Sequence, residues 1–239
     1  MIELFPEGFE EREDGPAVEL AAYTERWDAP ALLGALGSVR ETPVSAGWEV
    51  AWRRFHRPVR IGPLWIGPPW EAPDPGAVAV VIEPARAFGT GAHATTRLCL
   101  ELLLDVGRAG LVDVGCGSGV VAVAAAKLGF GPVAALDNDE AAVEATRANA
   151  AANEVEVDVR LADVLDDPLP AVEIAVANIA RRPVEVVAGR FAGALVIASG
   201  YLVDEEPRAE GWRSGERRTE GEWAADRLER DPGRAAQVG

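Results

Sequence analysis

The sequence of 239 residues has little lysine, little cysteine and no long apolar run. Lys127 is the one lysine, and 39 acidic residues outnumber 23 basic ones, so the formal net charge is −16. This charge disfavours sequence-independent binding of nucleic acid, which depends on lysine and arginine contacts to phosphates. No apolar run approaches the roughly 20 residues of a membrane span, and the acidic amino terminus lacks the features of a signal peptide. We therefore expect a cytoplasmic protein that binds neither nucleic acid nor membrane.

Cysteine and histidine are scarce as well. Cys99 and Cys116 are the two cysteines, which predicts a chain without disulfides. The two histidines, His56 and His93, do not cluster with cysteines or carboxylates at metal-ligand spacing, so we expect no metal. The acidic composition favours a small molecule or a basic protein as the partner.

Short β-branched runs alternate with helical patterns over the last two-thirds of the chain, a pattern typical of parallel strands joined by helical crossovers. The predicted strands are 78–82, 111–114, 132–136, 157–161, 172–177 and 194–198, and the predicted helices are 94–106, 119–128, 139–152 and 182–192. Two further polar-alternating strands meet at a turn at Glu220-Gly221, which suits an antiparallel sheet edge. The predicted fold class is α/β, with a doubly wound, mostly parallel sheet.

The first part of the chain follows a different pattern. Two alternating runs meet at Asp14-Gly15, which indicates a hairpin. A short helix, a strand and an aromatic-rich helix are expected to follow at about 28–36, 38–45 and 48–58. Residues 62–76 contain five prolines and three glycines, which predicts a linker. The predicted domains are a small α+β domain at 1–46, a helix and linker at 47–76, and a larger domain at 77–239.

The stretch "LVDVGCGSGVVAVAAAKLGF" places Gly115, Gly117 and Gly119 between an apolar run and an alanine-rich one. A glycine-rich turn between a strand and a helix presents unpaired amides and a positive dipole end, most often to a nucleotide. The spacing departs from the dinucleotide fingerprint, whose third glycine would stand at Val120. No Lys-Ser or Lys-Thr follows, so the loop is not a phosphate-binding P-loop.

Carboxylates accompany this loop. Asp113 lies on the last turn of the predicted strand, and Asp137 ends the next strand, eighteen residues after Gly119. A carboxylate in the position of Asp137 can bind the two hydroxyls of a ribose. S-Adenosylmethionine carries an adenosine, a sulfonium and an amino acid group but no phosphate, so it fits an acidic, lysine-free loop. The sequence therefore predicts this cofactor.

Two further stretches carry candidate site residues. In "AFGTGAHATTRLCLELL", Thr95 is expected to cap the following helix, and His93 either positions the loop or accepts a proton from a substrate amine. Asn178 ends the strand "VEIAVAN" at the carboxyl edge, where doubly wound sheets hold their chemistry. Asn178 can accept a hydrogen bond from an amine and orient it toward the methyl group.

The segments "FGTGAHATTRLCLE", "VDVGCGSGVVAVAA", "ALDNDEAAVEATRANA" and "VANIA", in this order, resemble the ribosomal protein methyltransferases that modify protein eleven of the large subunit. The resemblance runs from about Gly47 to "GEWAADRL". It implies a seven-stranded class I methyltransferase fold that binds S-adenosylmethionine. The cofactor-binding set comprises Phe88, Gly89, Thr90 and Gly91, which would close over the cofactor, and Thr96, Asp113, Gly115, Gly117, Gly119, Asp137, Asn138, Asp163 and Asn178.

The same resemblance implies N-methylation of lysine side chains and of an amino-terminal amine on a ribosomal protein. Enzymes of this fold that methylate planar amides or adenine carry a stacking aromatic after an Asn-Pro-Pro, whereas this chain reads Asn178-Ile179-Ala180, which favours an aliphatic amine. Relatives place a strand and a helix before the point matching Met1, so we expect 1–46 to be a shortened substrate-recognition domain. Two alternatives remain, a lysine on another protein and a cofactor-binding module without catalysis.

Overall fold

The computed structural model describes residues 10–14, 17–21, 56–84 and 93–231 of the chain. The chain separates into two compact units, Met1–Trp52 and Arg53–Gly239. In the first unit, β1 (Glu10–Asp14) and β2 (Ala17–Ala21) pair antiparallel, which confirms the predicted hairpin. The elements predicted at 28–36 and 38–45, and residues 48–55 of the helix predicted next, lie outside the described residues.

A small three-stranded sheet opens the described part of the second unit. It contains β3 (Val59–Ile61), β4 (Leu64–Gly67) and β5 (Val78–Val81), with β4 antiparallel to β3 and parallel to β5. The run Leu64, Trp65 and Ile66 is buried, so the predicted linker at 62–76 contains a core strand in its first half. Apart from Gly67, which ends β4, its glycines and prolines lie outside that strand, where turns favour them. The strand predicted at 78–82 is confirmed, but it belongs to this small sheet and not to the large one.

The large sheet has seven strands. They are β6 (Leu111–Val114), β7 (Val133–Asp137), β8 (Asp158–Leu161), β9 (Ile174–Asn178), β10 (Leu195–Leu202), β11 (Trp212–Glu220) and β12 (Trp223–Arg230). Their order is β11-β12-β10-β9-β6-β7-β8. The five strands from β6 to β10 are parallel, and β12 runs antiparallel to both of its neighbours. The predicted seven-stranded sheet and its antiparallel hairpin are confirmed.

Helices cover both faces of this sheet. They are α1 (Ala94–Leu104), α2 (Val120–Lys127), α3 (Glu140–Ala152) and α4 (Arg181–Arg190), close to the predicted positions. Successive residues of β6 point to opposite faces, so Leu111 packs in one apolar cluster with α1 and α2, and Val112 packs in a second cluster with α4. The central strands are buried on both faces, as a doubly wound parallel sheet requires. Among the described helices, none combines the length and apolar character needed to cross a bilayer.

Candidate active site

The carboxyl ends of three parallel strands meet at the middle of the large sheet. Val114, the last residue of β6, pairs with the penultimate residues of β7 and of β9. The residues that follow in each strand or turn are Gly115, Asp137 and Asn178, which therefore share one edge of the sheet. The sheet order places β7 and β9 on opposite sides of β6, so this edge is the switch point at which open α/β sheets bind ligands.

The glycine loop, residues 115–119, turns sharply from β6 into α2. Gly115, Gly117 and Gly119 have φ angles of 70°, 54° and 77°, a region that residues with a side chain rarely adopt. The N–H of Gly115 donates to the carbonyl oxygen of Leu136 at 2.8 Å, so the loop is tied to β7 as it leaves β6. The three alternating glycines are therefore a conformational requirement of the turn.

Two of these glycines also lie too close to neighbours for a side chain. A Cβ at Gly115 would lie 2.5 Å from Cγ2 of Ile179, which follows β9. A Cβ at Gly119 would lie 2.7 Å from Cγ2 of Thr146 on α3. Residues distant in sequence thus pack directly on the loop backbone.

The half-buried carboxylate of Asp137 is held by backbone N–H groups on both sides. Its Oδ2 accepts a hydrogen bond from the N–H of Gly117 at 2.9 Å, and its Oδ1 accepts one from the N–H of Asp139 at 3.0 Å. An ionised carboxylate offers about four acceptor positions, so each oxygen retains capacity for another donor. Asp137 is therefore fixed in orientation and remains able to bind a pair of hydroxyl groups.

Asp113 is arranged differently from Asp137. It is 2% exposed, and its Oδ2 accepts a hydrogen bond from the N–H of Ala122 in the first turn of α2 at 3.1 Å. Burial is the main reason that the pKa of Asp113 is raised from 3.8 to about 7; the hydrogen bond from Ala122 opposes this increase, and the nearby charge of Asp137 contributes to it. In the described structure, Asp113 joins β6 to α2 beneath the loop. The prediction that it binds the cofactor directly remains a prediction.

The cysteine of the loop is a buried thiol. Burial raises the pKa of Cys116 to about 12, and the charge of Asp113 contributes to this increase. Its Sγ lies 3.3 Å from the hydroxyl Oγ1 of Thr146. A thiol with such a pKa stays protonated at neutral pH, so Cys116 is not an activated nucleophile.

Asn178 contacts the start of α1. Its Nδ2 donates to the hydroxyl Oγ1 of Thr96 at 3.3 Å, and Thr96 is 1% exposed. This hydrogen bond joins two predicted site residues that stand 82 positions apart in the chain. The structure thus brings Thr96 and Asn178 together beside the glycine loop.

His93 caps α1, and the prediction that Thr95 is the cap is wrong. The helix begins at Ala94, so Thr95 is its second residue, and the N–H of Thr95 donates to Nδ1 of His93 at 3.4 Å. The hydroxyl of Thr95 lies 2.8 Å from the same nitrogen. The imidazole also packs edge-to-face on Trp223, with ring centroids 4.9 Å apart. These contacts agree with the interpretation of His93 as a residue that positions the start of α1.

The remaining predicted residues lie around this edge or outside the described part. Asn138 is exposed directly after β7. Asp163 is half-buried after β8, where its Oδ1 accepts a hydrogen bond from the N–H of Leu165 at 2.9 Å. Phe88, Gly89, Thr90 and Gly91 lie outside the described residues. Within the described ranges, no three histidine, cysteine or carboxylate side chains are arranged to hold a metal ion.

Sequence reasoning missed a polar face on α3. Thr146 donates to the carbonyl oxygen of Gly117 at 3.0 Å, and Nδ2 of Asn149 donates to the carbonyl oxygen of Ser118 at 2.9 Å. Both side chains are buried, although polar residues usually mark the exposed face of a helix. The available signal was their spacing of three residues on a face that otherwise carries alanine and valine.

Several known proteins that are similar to this chain are named as ribosomal protein L11 methyltransferases or methylases. The ribosomal protein L11 methyltransferase of Shewanella pealeana is 45% identical over 170 residues, which is 66% of this chain and 57% of that protein. The ribosomal protein L11 methyltransferase of Shewanella halifaxensis is 42% identical over 198 residues, 78% of this chain and 68% of that protein. The crystal structure of the ribosomal protein L11 methylase of Lactobacillus delbrueckii subsp. bulgaricus is 27% identical and superposes with a TM-score of 0.65, covering 74% of this chain and 100% of that one.

The match to the family itself covers most of the chain. The chain spans 57% of the length of the Shewanella pealeana relative. The sequence profile described as ribosomal protein L11 methyltransferase (PrmA) matches residues 20–230. That range includes both sheets of the second unit and the edge where Gly115, Asp137 and Asn178 meet. The chain therefore belongs to the ribosomal protein L11 methyltransferase family.

Proposed function

We propose that the chain is an S-adenosylmethionine-dependent protein N-methyltransferase that modifies lysine or amino-terminal amines of ribosomal protein L11. The observation that carries this proposal is the Asp137 carboxylate, held by the N–H groups of Gly117 and Asp139 at the switch point of the sheet. Membership in the family supports the choice of acceptor, because the relatives are named for ribosomal protein L11. We propose that the chain modifies this substrate in the cytoplasm.

The acidic side chains at this edge fit S-adenosylmethionine better than a phosphorylated nucleotide. Asp137 brings a carboxylate to this edge, close enough to the buried Asp113 for the two groups to interact electrostatically. A negative potential favours a ligand with a sulfonium and an ammonium and disfavours a pyrophosphate. We propose that Asp137 binds the ribose hydroxyls, with the glycine loop and Asn138, Asp163 and Thr96 around the rest of the cofactor.

We propose that Asn178 orients the acceptor amine. S-Adenosylmethionine, when bound, supplies an activated methyl group, so alignment and exclusion of water are the main tasks left to the protein. Because Nδ2 of Asn178 donates to Thr96, its Oδ1 is oriented as an acceptor for an amine N–H. A hydrogen bond from one N–H of the amine to Asn178 orients the nitrogen lone pair toward the methyl group. The lone pair can attack only if it carries no proton.

The acceptor amine must lose its proton before transfer. A lysine in water has a pKa of about 10.4, and a desolvated site lowers this value because burial disfavours the charged form. Nδ1 of His93 is hydrogen-bonded to Thr95, so we assign His93 to positioning and propose that solvent accepts the proton of the amine.

We further propose that residues 1–46 serve substrate recognition.

The test is transfer of radiolabel from S-adenosylmethionine to purified ribosomal protein L11, read beside calorimetric titration with S-adenosylhomocysteine. The proposal expects label in L11 and binding of the product cofactor, with both reduced by Asp137→Ala. Binding without transfer to L11 or to any other ribosomal protein would favour a module without catalysis. Transfer to another protein alone would keep the chemistry and contradict the acceptor.

A further inference from the structure

A β-bulge interrupts β10 next to Asn178. Ser199 pairs with Ala225 of β12 and Tyr201 pairs with Ala224, so Gly200 is the extra residue between two consecutive partners. On the other side of β10, Ser199 pairs with Asn178, which ends β9. The bulge therefore begins at the level where β9 ends and the segment containing Ile179 leaves the sheet.

The backbone of Ile179 lies directly against Gly200. A Cβ added at Gly200 would meet the carbonyl oxygen of Ile179 and would lie 2.7 Å from its carbonyl carbon and 3.0 Å from its nitrogen. Ordinary contacts of a Cβ begin at 3.4 Å, so the peptide of Ile179 would have to move. The φ angle of Gly200 is +99°, which other residues rarely adopt.

The side chain of Ile179 lies against a second glycine. Its Cγ2 would be 2.5 Å from a Cβ at Gly115, the first residue of the glycine loop. Ile179 is thus seated between two glycines, with its backbone on Gly200 and its side chain on Gly115. We call this arrangement, Gly115, Ile179 and Gly200, the Ile179 seat.

We propose that Gly200 is a positioning residue, whose lack of a side chain seats Ile179 and thereby orients Asn178 for the acceptor amine. The inference rests on the role proposed above for Asn178. Asn178 is joined covalently to Ile179, and its side chain has to reach Thr96 at 3.3 Å. A displacement of the Ile179 peptide moves the Asn178 backbone and misdirects the amide.

The test compares Gly200→Ala with Gly129→Ala. Gly129 has a similar φ of +87°, but a Cβ there would meet nothing within 4 Å, so this control carries the backbone strain without the collision. Gly200→Ala should lower turnover on ribosomal protein L11 on the order of 100-fold, as expected for a misplacement near 1 Å, with little change in calorimetric affinity for S-adenosylhomocysteine. Gly129→Ala should leave turnover near the wild-type value. Equal turnover of the two variants would overturn the proposal.

A double-mutant cycle shows whether Gly200 acts through Asn178. In an Asn178→Ala background, Gly200→Ala should cause little further loss of turnover, whereas a full additional loss would overturn the proposal. If Gly200→Ala does not fold, Ile179→Ala replaces it in the cycle, because it empties the side-chain half of the seat without backbone strain. The same coupling to Asn178→Ala is then expected.

An unfolding cycle keeps this inference separate from the proposed function. In urea denaturation, Thr96→Val should raise the unfolding equilibrium constant about fivefold in the wild type, through loss of its hydrogen bond with Asn178. In the Gly200→Ala background, or in Ile179→Ala, that increase should largely disappear. An undiminished increase would overturn the positioning role. If the wild type transfers no methyl group to L11, the proposed function fails, and this cycle alone decides the role of Gly200.

Discussion

At the scale of single residues, Asp137 and Asn178 have different relations to their surroundings. Asp137 is fixed by two backbone N–H groups, whereas Asn178, within the described part of the chain, has one side-chain hydrogen bond, with Thr96. A carboxylate fixed in this way suits binding of the cofactor. An amide whose nitrogen is hydrogen-bonded can still accept a hydrogen bond from a second ligand with its oxygen. Substitutions at the two positions should therefore affect different measured quantities.

Asp137→Ala should weaken binding of S-adenosylmethionine by about 1.5–3 kcal/mol, because hydrogen bonds to a charged group are lost. Calorimetric titration measures this change. The matched control is Asp139→Ala, two residues away, whose side chain caps α3 by accepting the N–H of Ala141 at 2.9 Å. The control should cost about 1 kcal/mol of folding stability and leave affinity unchanged. Wild-type affinity in Asp137→Ala would contradict the ribose assignment.

Asn178→Ala should lower turnover on the order of 100-fold while changing cofactor affinity much less, because its contact with the amine matters most in the aligned complex. Single-turnover rates at saturating cofactor, together with calorimetry, separate the two effects. Thr96→Val, which removes the hydrogen bond that orients Asn178, should cause a smaller loss of the same kind. Equal losses in turnover and affinity would mean that Asn178 only holds the cofactor.

At the scale of elements, α3 connects the glycine loop to the small sheet. Nδ2 of Asn149 donates to the carbonyl oxygen of Ser118, while its Oδ1 accepts a hydrogen bond from the N–H of Glu83 at 3.0 Å. One turn further on, Oδ1 of Asn153 accepts from the N–H of Val81 in β5 at 2.8 Å. Asn149 of α3 and Asn153, which caps the end of α3, therefore bind backbone groups that are not hydrogen-bonded to a neighbouring strand.

Asn149→Leu should lower the free energy of unfolding by about 1–3 kcal/mol, since it leaves the Ser118 carbonyl and the Glu83 N–H without their partner. Urea denaturation measures the loss. Glu144→Ala, on the exposed face of the same helix, serves as the control and should stay within about 0.5 kcal/mol of the wild type. An unchanged unfolding midpoint in Asn149→Leu would show that water replaces the amide at low cost.

At the scale of the whole molecule, one buried carboxyl couples folding to pH. Asp113 lies under the glycine loop, where it faces Asp137 and the thiols of Cys99 and Cys116. Its pKa is about 7 in the folded chain, against an ordinary value of 3.8. The folded chain therefore keeps a proton that the unfolded chain releases between these two pH values.

This difference predicts that stability falls as pH rises from about 4 to about 7, by up to about 1.4 kcal/mol per pH unit from Asp113 alone. The contribution is fully present below pH 4, where both states are protonated, and its loss is complete above pH 7. Asp113→Asn keeps an acceptor for the N–H of Ala122 and should remove this component. Urea denaturation at several pH values compares the two proteins, and parallel stability profiles would contradict the assignment.

Much of the architecture follows from patterns within short stretches of sequence. The alternation of β-branched runs with helical periods predicted β6 to β12 and α1 to α4 to within a few residues, apart from the carboxyl end of β10, because both patterns depend on neighbours along the chain. The three alternating glycines predicted a tight turn because positive φ is a local requirement. The edge shared by Gly115, Asp137 and Asn178 also followed, since the carboxyl ends of parallel strands meet in such a sheet.

Contacts between distant segments were decided only by the tertiary structure. The apolar run 64–66 lies among glycines and prolines, so its sequence did not predict a strand. Its pairing with β5 makes β5 part of a separate sheet. Asn149 meets Glu83 across 66 positions, and Ile179 meets both Gly115 and Gly200, so no local pattern marks any of these contacts. The sequence by itself determined which elements form and which residue types stand at their ends. Packing decided that Asp113 faces a helix while Asp137 remains accessible, because burial and hydrogen-bond partners depend on which segments meet in space.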